Sequence, residues 1–237
     1  MTKIITERSK EQWAELLAGQ YLLFGLLGKL FYNIPDAELL DTLVQDDVFD
    51  EAPFAATQAP AVEGLGLLRE WSEAYAHSEE QGEMLADVKA DHTRLFVVTE
   101  KLPLTPWESV YYSEERLLFQ ESTVDVRNWY AQFGLETVTG RSEPEDHIGL
   151  ELAFVAHLAH RALMALDAGN EQAFQQLLAA QKGFCQKHLM VWAPLWCAQM
   201  VEYARTDFYR GLALLLRGAL DELATIIEVP LREVALT

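Results

Sequence analysis

Cysteine is nearly absent: Cys185 and Cys197 are the two in 237 residues. Both fall in a stretch that reads as helical rather than in a small loop-rich scaffold, which excludes a disulfide framework and fits a reducing compartment. Basic residues are scarce too, 18 Lys and Arg against 37 Asp and Glu, for a formal net charge of −19. That balance repels nucleic-acid phosphates and anionic membranes and favours a cationic partner. The apolar run Tyr21 to Phe31 is too short to span a bilayer and contains Lys29, so no membrane insertion is expected. Residues Met1 to Arg8 turn polar where a secretory segment would become apolar, and the chain reads as cytoplasmic. It lacks a Gly-x-x-x-x-Gly-Lys loop and a dinucleotide fingerprint, so no nucleotide or other cofactor is expected. Nothing alternates as a strand, repeats internally or drops to low complexity.

What the chain does have is apolar helical periodicity. Half of its residues are apolar, with six tryptophans, and a chain of this length buries about 70–75% of its unfolded surface. Trp13, Leu16, Leu17, Phe24, Leu27, Leu30 and Phe31 mark a helix over 10–33, ending before Pro35. Further helices are expected over 36–49, from Val62 to Tyr75, from Met84 to Phe96, from Ser122 to a C-cap at Gly134, over 171–182, from Phe184 to Ala204 and from Thr206 to Ile227. The fold class is therefore all-α: one globular domain of about ten helices, with an N-terminal lobe over 10–134, a hinge over 135–143 and a C-terminal lobe over 144–228. A strained hinge there would permit a domain-swapped homodimer beside the monomer.

The segment from Thr139 to Ala168 organises the rest. Ser142 with Glu145 reads as a capping box, Pro144 suits a first turn, and Glu143, Glu145 and Asp146 face the positive end of the helix dipole. Ile148, Leu152, Val155, Ala159, Leu163 and Leu166 form its core stripe. Adding Glu151 and His147, the carboxyl density at this entry exceeds what capping needs. Upstream, the loop Leu102 to Tyr111 is broken by Pro103 and Pro106 and is apolar where loops are usually polar. Trp107 and Tyr111 therefore either join the core or line a binding surface.

Three chemistries compete for these residues. Asp146 and His147 suggest an acid–base pair and hence a small hydrolase, but no nucleophile sits at a recognisable spacing, and on a helix the two side chains point about 100° apart. Cys185, His188 and Cys197, or His157 with His160, could be weighed as metal ligands, yet their spacing departs from structural zinc patterns. Recognition of a cationic peptide has the clearest mechanism: carboxylates pair with planar guanidinium, and aromatic side chains floor a groove for an apolar segment. A leader-independent assembly scaffold is the remaining alternative. Arg127 is expected to pair with an acidic residue of the fold, and His188 and Trp192 to hold the last helices together.

The chain resembles the TorD/DmsD family of maturation chaperones for molybdenum-containing redox enzymes. The likeness rests on Arg94-Leu95-Phe96, the loop from Leu102 to Tyr111, Phe119 and Ser122, Val126-Arg127 with Trp129-Tyr130 and Gly134, the run Glu143 to His147, His188 with Trp192 and Pro194, and Asp207-Phe208-Tyr209. It covers roughly the last two thirds of the chain. The resemblance implies a non-catalytic cytoplasmic chaperone that binds the twin-arginine leader, and the apo-form, of a molybdoenzyme subunit. The peptide-binding residues it points to are Leu95, Phe96, Pro106, Trp107, Glu108, Tyr111, Glu143, Asp146, His147 and Glu151, arranged as an acidic rim beside an aromatic hollow. Glu108 is carried over only weakly, and Leu95 and Phe96 also fit plain core packing.

Overall fold

A computed structural model describes residues 8–50, 52–97, 104–112, 118–136 and 143–229. Nine α-helices lie within them: α1 (Lys10–Tyr32), α2 (Ala37–Gln45), α3 (Ala59–His77), α4 (Gln81–His92), α5 (Glu121–Gln132), α6 (Ile148–Asp167), α7 (Glu171–Lys187), α8 (Leu189–Tyr203) and α9 (Asp207–Ile227). A π-helical turn, Thr93–Val97, extends α4, and a 3-10 turn, Glu108–Tyr111, precedes α5. No strand occurs among the described residues; one isolated antiparallel bridge joins Trp107 and His147.

Local chemistry explains several of the helix ends. Ser9 and Gln12 form a reciprocal capping box on α1, and Asp36, Asn170 and Thr206 accept backbone N–H groups at the starts of α2, α7 and α9, each satisfying a donor that the helix itself cannot. Gly134 and Gly169 adopt positive φ after α5 and α6.

Two starts differ from expectation. Helix α6 begins at Ile148 with His147 as its N-cap, five residues later than a Ser142 cap would put it; Ser142 itself lies outside the described residues. The reason is tertiary: the Ile148 N–H donates to the Pro106 carbonyl at 2.7 Å and the Glu108 N–H to the Asp146 carbonyl at 3.0 Å, so the backbone before Ile148 pairs with a distant loop instead of coiling. The span expected as one helix from Phe184 is broken at His188, whose backbone leaves helical geometry between α7 and α8.

The core sits where α1 packs along α6 and α3 along α9, the two most extensive helix contacts, with α7 and α8 closing the sides. Both large contacts join helices far apart in the sequence, and the buried residues of 10–134 and 144–228 fall in one hydrophobic core. Part of the expected hinge, residues 137–142, lies outside the described residues. The α1–α6 crossing is close: a Cβ on Gly149 would stand 2.8 Å from the Gly28 carbonyl oxygen.

The run Tyr21 to Phe31 lies within the longer helix α1. At 23 and 20 residues, α1 and α6 are long and apolar enough to cross a membrane by length and composition. About half of each such window is buried, because the apolar faces meet each other.

Candidate functional site

The loop 104–112 lies across the entry of α6. Its backbone is tied there by the Trp107–His147 bridge; two side-chain bonds tighten the contact and a third caps α6. The Trp107 indole N–H donates to Glu143 Oε1 at 2.7 Å, Asp146 Oδ2 accepts the Ser109 N–H at 2.7 Å, and His147 Nδ1 accepts the Gly149 N–H at 3.0 Å. Because Nδ1 accepts, the neutral ring carries its proton on Nε2 and offers a donor there. Edge-on rings of Tyr32 and Trp107 flank it at 5.2 and 6.2 Å. Tyr111, half-buried, packs its ring 5.1 Å from Trp192, and its hydroxyl lies 2.9 Å from Gln199 Oε1.

Beneath this edge lie three fully buried carboxyl groups, Glu108, Asp146 and Glu151. Glu108 faces His188 Nδ1 at 3.0 Å and accepts the Tyr112 hydroxyl at 2.8 Å. His188 Nε2 meets Asp125 Oδ2 at 2.8 Å, which also takes Lys187 at 2.7 Å. Glu151 accepts a long bond, 3.3 Å, from the Trp192 indole. Asp146 Oδ1 and Glu151 Oε1 have no hydrogen-bond partner among the described residues. Burial, with Glu108 and Asp146 close by, holds the Glu151 carboxyl well above the usual range, while the Trp192 bond opposes this weakly; charges cannot share so dry a space without losing solvation. Glu143 is also raised, by partial burial, with the Trp107 bond pulling the other way.

The structure therefore brings Trp107, Glu108, Glu143, Asp146, His147 and Glu151 into one region, with Pro106 supplying a backbone acceptor. The expected acidic rim is corrected: of its carboxyls Glu143 is half-exposed, whereas Glu108, Asp146 and Glu151 run inward, because capping and loop pairing turn them away from water. Leu95 and Phe96 are core, Phe96 stacking on Phe31 at 5.8 Å and lying 6.0 Å from Trp196. Arg127 pairs with Glu145 through two bonds of 2.7 and 2.9 Å. Asp146 and His147 engage different backbone groups and form no dyad. His188 is bound by carboxylates, and Cys185 and Cys197 are buried, free thiols whose titration burial pushes far up. Asp125 and Tyr112 were not anticipated: Asp125 sits between two valines in a helix and carries no local signal.

His92 links this region to the core. Its ring lies 4.7 Å from Phe96 and 5.9 Å from Tyr209. Burial lowers its titration to about 4, with the Phe31 backbone offsetting part of this although neither ring nitrogen gains a full hydrogen bond. His147 falls to about 3, through burial and then the neighbouring His92. Unfolded histidines take up protons near pH 6.5 and these folded ones do not, so both rings subtract stability as pH falls from about 6.5 toward 4. In urea titrations between pH 7 and 4.5, His92→Phe is expected to lose less stability on acidification than the parent protein; parallel losses would mean that His92 is not held neutral.

Comparison with known proteins shows the family. The profile of the family described as nitrate reductase delta subunit matches residues 58–198. The Tat proofreading chaperone DmsD of Salmonella typhi is 30% identical over 209 residues, 86% of this chain and 89% of its own. The chaperone protein TorD of Vibrio parahaemolyticus is 26% identical over 157 residues, 66% of this chain and 69% of its own. A candidate redox enzyme maturation protein of known structure from Archaeoglobus fulgidus aligns over 85% of this chain and 93% of its own, at 18% identity and a TM-score of 0.46, a likeness too slight to carry a conclusion. The class is thus that of all-helical redox-enzyme maturation proteins. The chain belongs to their TorD/DmsD family.

Proposed function

We propose that this protein is a non-catalytic cytoplasmic chaperone that binds the twin-arginine leader of a molybdoenzyme precursor and shields it until the cofactor is loaded. The observation that carries the reading is the Trp107 indole, half-exposed and hydrogen-bonded to Glu143 at the mouth of a buried carboxyl cluster. A guanidinium pairs with Glu143 in place of that indole, the His147 Nε2 donor meets a peptide carbonyl, and the freed tryptophan face packs on the apolar part of the leader. The relatives named Tat proofreading chaperone support the same partner. Phe96 acts from behind, its ring 6.3 Å from that of His147, and Leu95 as buried core. A hydrolase is disfavoured because Asp146 and His147 are turned to separate backbone donors. The acidic surface disfavours nucleic acid as a partner.

The test is titration calorimetry with a synthetic peptide bearing Arg-Arg and a leader-like apolar segment. Changing both arginines to glutamine, or Trp107→Ala in the protein, is expected to weaken binding by about 30-fold, the range of a central aromatic or arginine anchor. Binding that is indifferent to both changes would overturn the reading and favour a leader-independent scaffold. Size-exclusion chromatography of the same samples distinguishes monomer from swapped dimer.

A further inference from the structure

The carboxyl groups of the site form a cluster that starts at half-buried Glu143 and ends at fully buried Glu151, with Asp146 in electrostatic reach of both ends and Glu108 in reach of Glu151. Compensation along it is uneven. Glu108 has His188 and the Tyr112 hydroxyl, and Asp146 has the Ser109 N–H. Arg127, the guanidinium beside the site, is already paired with Glu145. Glu151 has one long indole bond and, among the described residues, an oxygen without a hydrogen-bond partner, as has Asp146 at Oδ1. Around Glu151 the packed elements present Glu108 from the 3-10 turn, Asp146 from the α6 entry, Tyr130 from α5, Cys185 from α7 and Trp192 from α8. None of these is a cation. Neighbouring buried carboxyls with so few donors cannot all ionise, and the one with least support keeps its proton.

We propose that docking of the arginine pair at Glu143 and Asp146 expels the proton held by Glu151, so that the peptide binds with proton release. This deepens, and rests on, the leader-binding reading. Heterolysis of the Glu151 O–H bond sends the proton to the buffer and leaves a carboxylate. The incoming guanidinium balances that charge, and its five N–H donors can satisfy Asp146 Oδ1. A neutral leader side chain leaves the proton in place. The site thereby tests for charge with a group that the ligand need not touch. Affinity rises with pH wherever the free protein holds this proton and the complex does not.

Calorimetry of the Arg-Arg peptide with the full chain, at one pH in phosphate and in Tris, reads the released protons from the difference in apparent enthalpy. The expected release is about 0.3–1 proton per peptide bound, falling by at least half per bound peptide in Glu151→Gln, which imitates the protonated group. Equal enthalpies in the two buffers, with binding intact, overturn this inference and leave the leader-binding reading standing; so does an undiminished release from Glu151→Gln. Should that variant not fold, the parent protein in two buffers still decides the matter. Failure of the parent protein to bind the peptide at all removes the leader-binding reading itself.

Discussion

Replacing His188 by alanine is expected to destabilise the protein by about 3–5 kcal/mol, the cost of leaving a buried charged partner uncompensated. Glu108 is fully buried, and both its oxygens lie 3.0 Å from the His188 ring. Without the imidazole the buried carboxyl loses the partner that both its oxygens face, and a cavity opens beside α5 and α8 in addition. The same ring fastens Asp125, so the contact of α5 with the loop 104–112 loosens as well. Urea unfolding followed by circular dichroism measures the loss. Adding Glu108→Gln to the alanine variant is expected to restore at least half of it, because the glutamine needs no counter-charge. If the double variant is as unstable as the single one, the ion pair is not what His188 contributes. A further consequence is functional: with the 3-10 turn loosened, peptide affinity should fall even at temperatures where the variant remains folded.

The second large effect is expected at the α1–α6 crossing. Valine at position 149 would place its Cβ 2.8 Å from the Gly28 carbonyl oxygen and 2.8 Å from the Tyr32 Cβ, and the backbone of a packed helix cannot retreat as a flexible side chain can. The helices must move apart, opening gaps along the core's largest contact, at a cost of about 3 kcal/mol or more. Gly66→Ala provides the contrast. Its added methyl meets nothing within 4 Å, so replacing a mid-helix glycine by the best helix former should stabilise α3 by about 0.5–1 kcal/mol. A thermal melt of the two variants should move in opposite directions; a Gly149→Val protein as stable as its parent would mean that the crossing is looser than described.

These two sites also mark the limits of what the sequence discloses. The apolar stripes of α1, α6 and α9 and the helix-ending glycines are local signals and are legible, because periodicity and capping act within a few residues. The start of α6 is not. Ser142 and Glu145 present a sound local capping pattern, but Pro106, some forty residues earlier, takes the N–H of Ile148, and a tertiary hydrogen bond has no local spelling. The break at His188 is hidden for the same reason: the apolar pattern runs through it, while the groups that hold the ring are Glu108 and Asp125. Trp107 was legible as an unusual loop residue. The inward turn of Glu108 and Glu151 was not, since acidic residues are rarely buried and nothing in their neighbours marks these two as exceptions.

The pairing of α1 with α6 and of α3 with α9 has a bearing on biosynthesis. A nascent chain that has emerged only through α5 carries its longest apolar stripes with nothing to cover them, and such distant pairings also slow folding. The core that joins these pairs is therefore completed only after α9 has left the ribosome.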